Sequence, residues 1–206
     1  MAVSLARVDT LFPIPLYRFR VEEAGLNEKL AAEIAARRKS EQGRDNRNRL
    51  GWQSEHDFFQ RQEEAHSALA RIFAQVTKQT IQSLDEKADF NRFQVLLNGW
   101  LNVNPPGGYN SPHQHSDAHL SGVYYVDVPK AKSDAGGAIE FLSPHPVRLL
   151  STLIRSQMFS DRVRVQPAAG DLILFPSQLT HWVHPNDSGK PRVTVAFNAT
   201  IKPKRQ

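Results

Sequence analysis

The chain of 206 residues contains no cysteine. That excludes a disulfide framework, a zinc ribbon and a thiol nucleophile, and it fits a reducing compartment. Also missing is any apolar run long enough to cross a bilayer, and Arg7 and Asp9 interrupt the stretch where a secretory signal needs an unbroken apolar core. The expectation is a soluble, cytoplasmic protein. A strong charge bias is absent as well: Lys and Arg number 26 against 21 Asp and Glu, a formal net charge of +5. A soluble surface accounts for that excess without a nucleic-acid or membrane partner. With 40% hydrophobic and 23% charged residues, the chain can form a single domain over residues 1–206 with a sizeable core.

The pattern divides at about residue 90. Before it, Leu16 to Val21 alternate as a strand, and Pro13 and Pro15 place that strand at a sheet edge. An exposed edge there would make a homodimer unsurprising. Asn27 offers a cap for a helix through Leu30 and Ile34 that ends near Ser40. Glu41 to Arg49 reads as a polar loop, and the six cations against two carboxylates from Arg37 to Arg49 read as a solvated face. Ala65, Leu69, Ile72, Phe73, Val76 and Leu84 recur at helical spacing. Residues 90–200 are strand-like. Gln94, Asn98, Trp100 and Asn102 share one face of a strand, and a buried amide there must find partners.

The candidate chemistry lies between Asn102 and Arg192. His113 and His115, one residue apart on an extended segment, point to the same face, and His181 can return from a distant strand to complete a metal site. Imidazole suits iron(II), and three ligands on one side of an octahedron leave positions open for a cosubstrate and dioxygen. Arg192 follows His181 with the planar fork that matches a carboxylate. Asp117 and His119 continue the same alternation, and His184 rivals His181, so spacing alone does not choose the ligands. Arg192, Thr194, Ala196 and Asn198 share one strand face, which puts a hydroxyl beside the guanidinium.

Pro167-Ala-Ala-Gly170-Asp-Leu-Ile-Leu-Phe175-Pro176-Ser177, followed by His181, Pro185, Gly189 and Arg192, resembles the second half of the 2-oxoglutarate and iron(II)-dependent oxygenases of the prolyl-hydroxylase type. Gly108-Tyr109, Pro112-His113-Gln114-His115 and Ser121-Gly122-Val123-Tyr124-Tyr125 resemble the first half. With Trp100-x-Asn102 ahead of them, the order is similar to a family of small oxygenases of bacteria and phages, and the similarity runs from Leu11 to Asn198. The resemblance implies a mainly β fold: a double-stranded β-helix, or jelly roll, with two amino-terminal helices packed on its larger sheet. It implies His113, His115 and His181 as iron(II) ligands, with His115 where most relatives carry a carboxylate. The alternative register, His115-x-Asp117, would supply that carboxylate. It further implies that Arg192, Thr194 and Tyr125 hold the far carboxylate of 2-oxoglutarate, with Asn102 as a further contact, that Tyr124 points away, and that dioxygen is consumed.

A second class also pairs His-x-His on barrels: cupin-like metal proteins that do not turn over 2-oxoglutarate. Such a protein has no need of Arg192 and Thr194, and it expects a glutamate where this chain has His119 and Leu120. A nucleic-acid repair oxygenase using the basic run from Arg37 is a third reading, separable by steep salt dependence. His56, His66, His119 and His145 are read as structural or exposed, and Trp52 as core. Ser143 to Asp161, with Arg148 and Arg155, is read as an irregular loop near the barrel mouth, suited to substrate contacts. Residues 201–206 are read as a frayed basic tail.

Overall fold

The computed structural model describes residues 4–5, 7, 12–44, 47–145 and 160–204. Two antiparallel sheets face each other. The larger runs β1 (Tyr17–Arg20), β9 (Asp171–Pro176), β6 (Leu120–Asp127), β11 (Arg192–Pro203), β4 (Phe93–Asn104) and β3 (Trp52–Gln53). The smaller runs β2 (Asn48–Arg49), β5 (Tyr109–His113), β10 (His181–Val183), β7 (Ile139–Leu142) and β8 (Arg162–Val165). This is the jelly-roll arrangement, and β1 sits at the edge where its prolines placed it. Arg148 and Arg155 lie outside the described residues.

Two helices, α1 (Leu26–Ser40) and α2 (Glu64–Leu84), cover the outer face of the larger sheet. Leu30, Ile34, Leu69, Phe73 and Val76 meet Leu101, Tyr124, Leu172, Val195 and Phe197 in one cluster. The rings of Phe73 and Phe197 stack at 4.1 Å. Burying each such side chain contributes about 1.5–3 kcal/mol, so the helices hold the back of the sheet rigid while its front carries chemistry.

Four expectations need correction. Asn27 does not cap α1: Gly25, at φ 73°, precedes the helix, and the Asn27 amide instead accepts the Tyr124 hydroxyl at 2.6 Å. The basic run is not all solvated. Arg37 is buried, donating to Glu41 at 2.8 Å and Asp57 at 2.7 Å, because acids in the following turns fold back onto it. The carboxyl end is not frayed up to Pro203, since β11 pairs with β4 through Pro203↔Phe93. Finally, only the second half of β4 is enclosed, so Gln94 and Asn98 are exposed while Trp100 and Asn102 are buried.

Candidate metal and cosubstrate site

Strand pairing brings the imidazoles together. β5 and β10 place His113 opposite His181, and a bulge between this pair and Val183↔Asn110 lets both Asn110 and His113 face inward. β5 ends at His113, and the next turn is tied to the larger sheet's corner by His115 N–H donating to the Ser177 carbonyl at 2.9 Å. One ligand atom from each of His113, His115 and His181 lies within 4.8 Å of the others. Their ring centroids are 4.4 Å (113 to 181), 5.0 Å (113 to 115) and 5.5 Å (115 to 181) apart.

Two rings are held in the tautomer a metal needs. His113 Nδ1 meets the Ser111 carbonyl at 2.7 Å and His181 Nδ1 meets the Leu179 carbonyl at 2.9 Å. A carbonyl only accepts, so each Nδ1 carries the proton and each Nε2 keeps its lone pair. Burial makes the charged forms costly. It lowers the pKa of His113, brings His115 to about 4 and His181 to about 3, with His113 adding to the effect on the other two. All three are neutral imidazoles near pH 7.

The alternation that offered Asp117 and His119 ends with β5. Asp117 is exposed beyond the turn, its carbonyl accepting from Thr200 Oγ1 at 3.2 Å. His119 is exposed and its Nδ1 accepts the Ile201 N–H at 3.1 Å. His184 lies on the far side of the smaller sheet, 3.2 Å from Glu140. Neither Asp117, His119 nor His184 joins the three-histidine cluster among the described residues. His56 stacks on Trp100 at 4.5 Å, and His66 is buried, its Nδ1 2.6 Å from Glu33.

On the larger sheet, Asn102, Thr194 and Tyr125 form one row across β4, β11 and β6, with Arg192 two residues before Thr194 on the same face. All four are buried and line the same pocket as the histidines. Arg192 Nε and Nη2 and the Tyr125 hydroxyl are enclosed and find no hydrogen-bond partner among the described residues, the guanidinium lying 5.1 Å from the Tyr125 ring centre. Buried groups of this kind are almost always satisfied, and an enclosed guanidinium without an anion is costly. Their donors fit the free carboxylate of a dicarboxylic acid. Burial pushes the Tyr125 pKa to about 12, with Arg192 opposing it, so the hydroxyl stays a donor. Asn102 Oδ1 accepts from Asn48 at 3.5 Å, which leaves its amide nitrogen for the pocket.

Sequence reasoning missed Gly137. It has φ 65°, and a Cβ there would sit 3.3 Å from Arg192 Cδ, so its backbone forms the wall behind the guanidinium. Only the Gly136-Gly137 pair hinted at it. Asn110 and Asn198 were missed as pocket residues too.

Residues 98–198 match the family model described as "Putative 2OG-Fe(II) oxygenase". No curated protein matches. Among solved structures the chain is similar to a prolyl-4-hydroxylase of Pseudomonas putida, with TM-score 0.63, 19% identity and coverage of 93% of both chains. It is also similar to a Trichoplax adhaerens prolyl hydroxylase in complex with a hypoxia inducible factor peptide fragment (TM-score 0.64, 14% identity, 90% of this chain and 83% of that one). A third is HygX of Streptomyces hygroscopicus with nickel and 2-oxoglutarate bound (TM-score 0.60, 14% identity, 90% and 82%). At these identities the likeness establishes the fold.

Proposed function

We propose that this chain, a member of the 2OG-Fe(II) oxygenase family through residues 98–198, is a dioxygenase that puts one atom of dioxygen into a substrate C–H bond as a hydroxyl and the other into succinate, as 2-oxoglutarate loses carbon dioxide. His113, His115 and His181 would hold iron(II). Arg192, with Thr194, Tyr125 and Asn102, would hold the carboxylate of 2-oxoglutarate remote from the metal. Bound iron would supply the activation of dioxygen; the chain holds His113 and His181 in their Nδ1–H tautomers, excludes water and fixes the cosubstrate at its far end.

The observation that carries this reading is the buried, unpaired face of Arg192 and Tyr125 in the same pocket as three neutral imidazoles. A metal site alone needs no enclosed guanidinium. In the cupin-like alternative Arg192 would stay an uncompensated buried cation, a loss of several kcal/mol. The test is anaerobic loading with iron(II) and 2-oxoglutarate, followed by visible absorption spectroscopy. A weak charge-transfer band that needs both components is expected; iron-loaded, folded protein without the band would favour the cupin-like alternative.

A further inference from the structure

The inward face of the larger sheet is layered. β11 lies between β4 and β6, so its alternate residues stand at the centre of rows that cross the sheet. Asn102, Thr194 and Tyr125 make the first row, which is proposed above to hold 2-oxoglutarate and on which this inference rests. Trp100, Ala196 and Val123 make the second, which is apolar. Asn98, Asn198 and Ser121 make the third, continued on β9 by Phe175. This third row reaches the mouth of the pocket, since Asn98 is exposed while Asn198 and Ser121 are buried.

The outer two rows face the histidines. The Trp100 ring lies 5.7 Å from that of His115, and the Phe175 ring 4.7 Å from that of His181. Asn198 is on the strand between β4, which carries Trp100, and β6, which pairs with the strand of Phe175. It sits four residues past Thr194, about 13 Å along β11, beyond the reach of a five-carbon acid anchored on the first row. A second molecule is needed to fill that end.

The Asn198 amide is fixed in one orientation. Its Oδ1 accepts from Ser121 Oγ at 2.8 Å, and Ser121, its hydrogen so used, accepts from Ser177 Oγ at 2.8 Å. The carbonyl of the same Ser177 accepts the His115 N–H at 2.9 Å, so one serine holds both the amide and a proposed metal ligand. Asn198 is 9% exposed and lines the pocket, and its Nδ2 has no partner among the described residues. A buried amide nitrogen left in this way calls for an acceptor.

That acceptor is neutral. Arg192 is the one charged side chain among the described residues lining the pocket, and it belongs to the 2-oxoglutarate end. A charged group brought to the third row would be desolvated without an opposite charge beside it. A carbonyl oxygen accepts without that cost. Trp100, kept in place by stacking on His56 at 4.5 Å, offers the apolar surface next to it.

We propose that Asn198 orients the primary substrate, its Nδ2 donating to the carbonyl oxygen of a neutral, amide-bearing molecule whose neighbouring C–H rests between Trp100 and Phe175, facing the histidines.

Protein loaded with manganese(II) and saturated with 2-oxoglutarate would be titrated with 4,4,4-trifluorobutyramide, 4,4,4-trifluorobutyrate and 1,1,1-trifluoropentane, reading the fluorine relaxation caused by the metal. The amide is expected to bind tightest of the three. Asn198→Ala should weaken it about tenfold and leave the fluoroalkane unchanged. Ser121→Ala, which keeps the amide but frees it to turn, should weaken it about threefold. Carboxylate binding tighter than amide, an amide no tighter than the fluoroalkane, amide binding unchanged in both variants, or displacement of the amide as 2-oxoglutarate is raised would overturn the assignment. The iron charge-transfer band, read on the native protein and both variants, separates the failures. A band without amide preference removes only the role of Asn198, and no band in the native protein removes the oxygenase reading with it.

Discussion

In the proposed function three imidazoles and a guanidinium would do the work of the pocket, and each makes a separable demand. His113→Ala, His115→Ala and His181→Ala should each weaken metal binding by at least about 100-fold, since outer partners alone are worth 10- to 100-fold. Asp117→Ala should leave it unchanged. Metal content after dialysis measures both, and iron lost from the Asp117 and His115 variants but kept by His113→Ala would show that the ligand set is His115-x-Asp117. Tyr125→Phe removes one neutral donor and should weaken 2-oxoglutarate binding about three- to tenfold, by calorimetric titration of metal-loaded protein. These residues were visible in the sequence because strand alternation, motif order and the Arg192–Thr194 pair agree. Asp117 could not be discarded there, because nothing in the alternating letters says that β5 stops at His113. The sequence put Asn198 on the face of Arg192, but its contacts were hidden, because Ser121 and Ser177, which hold its amide oxygen in place, come from elsewhere in the chain.

Among elements, β11 and α2 were the most legible, since each has an apolar period that its packing uses. Phe73→Ala would open a cavity beneath Phe197 and should cost about 3–5 kcal/mol, measured by chemical denaturation. Close approaches were not legible. Gly137→Ala would strain a left-handed backbone by about 1–2 kcal/mol and press on Arg192. The expected result is a lower Tm together with weaker 2-oxoglutarate binding; a lower Tm alone would mean the guanidinium is positioned by something else.

The outer face of the smaller sheet adds a pH-dependent element. Glu140 is buried, which alone would raise its pKa, but hydrogen bonds from Arg164, Trp182 and His184 outweigh burial and lower it. A carboxyl with a depressed folded pKa adds stability above its unfolded value near 4.3, and that stability is lost as pH falls through the folded value. Glu140→Gln should therefore destabilise the protein by about 1–3 kcal/mol at pH 7. The difference should shrink at acid pH, and a constant difference between pH 7 and pH 3 would contradict the pairing.

For the whole molecule, two sheets closing over one pocket bring the three histidines against Arg192, Thr194, Tyr125 and Asn102 of the larger sheet. In the proposed function neither side would hold the cosubstrate alone. The sequence conveyed this division only through resemblance, because the pairing of β5 with β10 and of β11 with both β4 and β6 joins residues far apart in the chain. The most direct test is calorimetric titration of 2-oxoglutarate into metal-free protein, manganese(II)-loaded protein and loaded Arg192→Gln. The account predicts tight binding only in the loaded native protein, weakened about 10- to 100-fold by loss of the charge-assisted contacts of Arg192. Equal affinity without metal, or with Arg192 replaced, would contradict it.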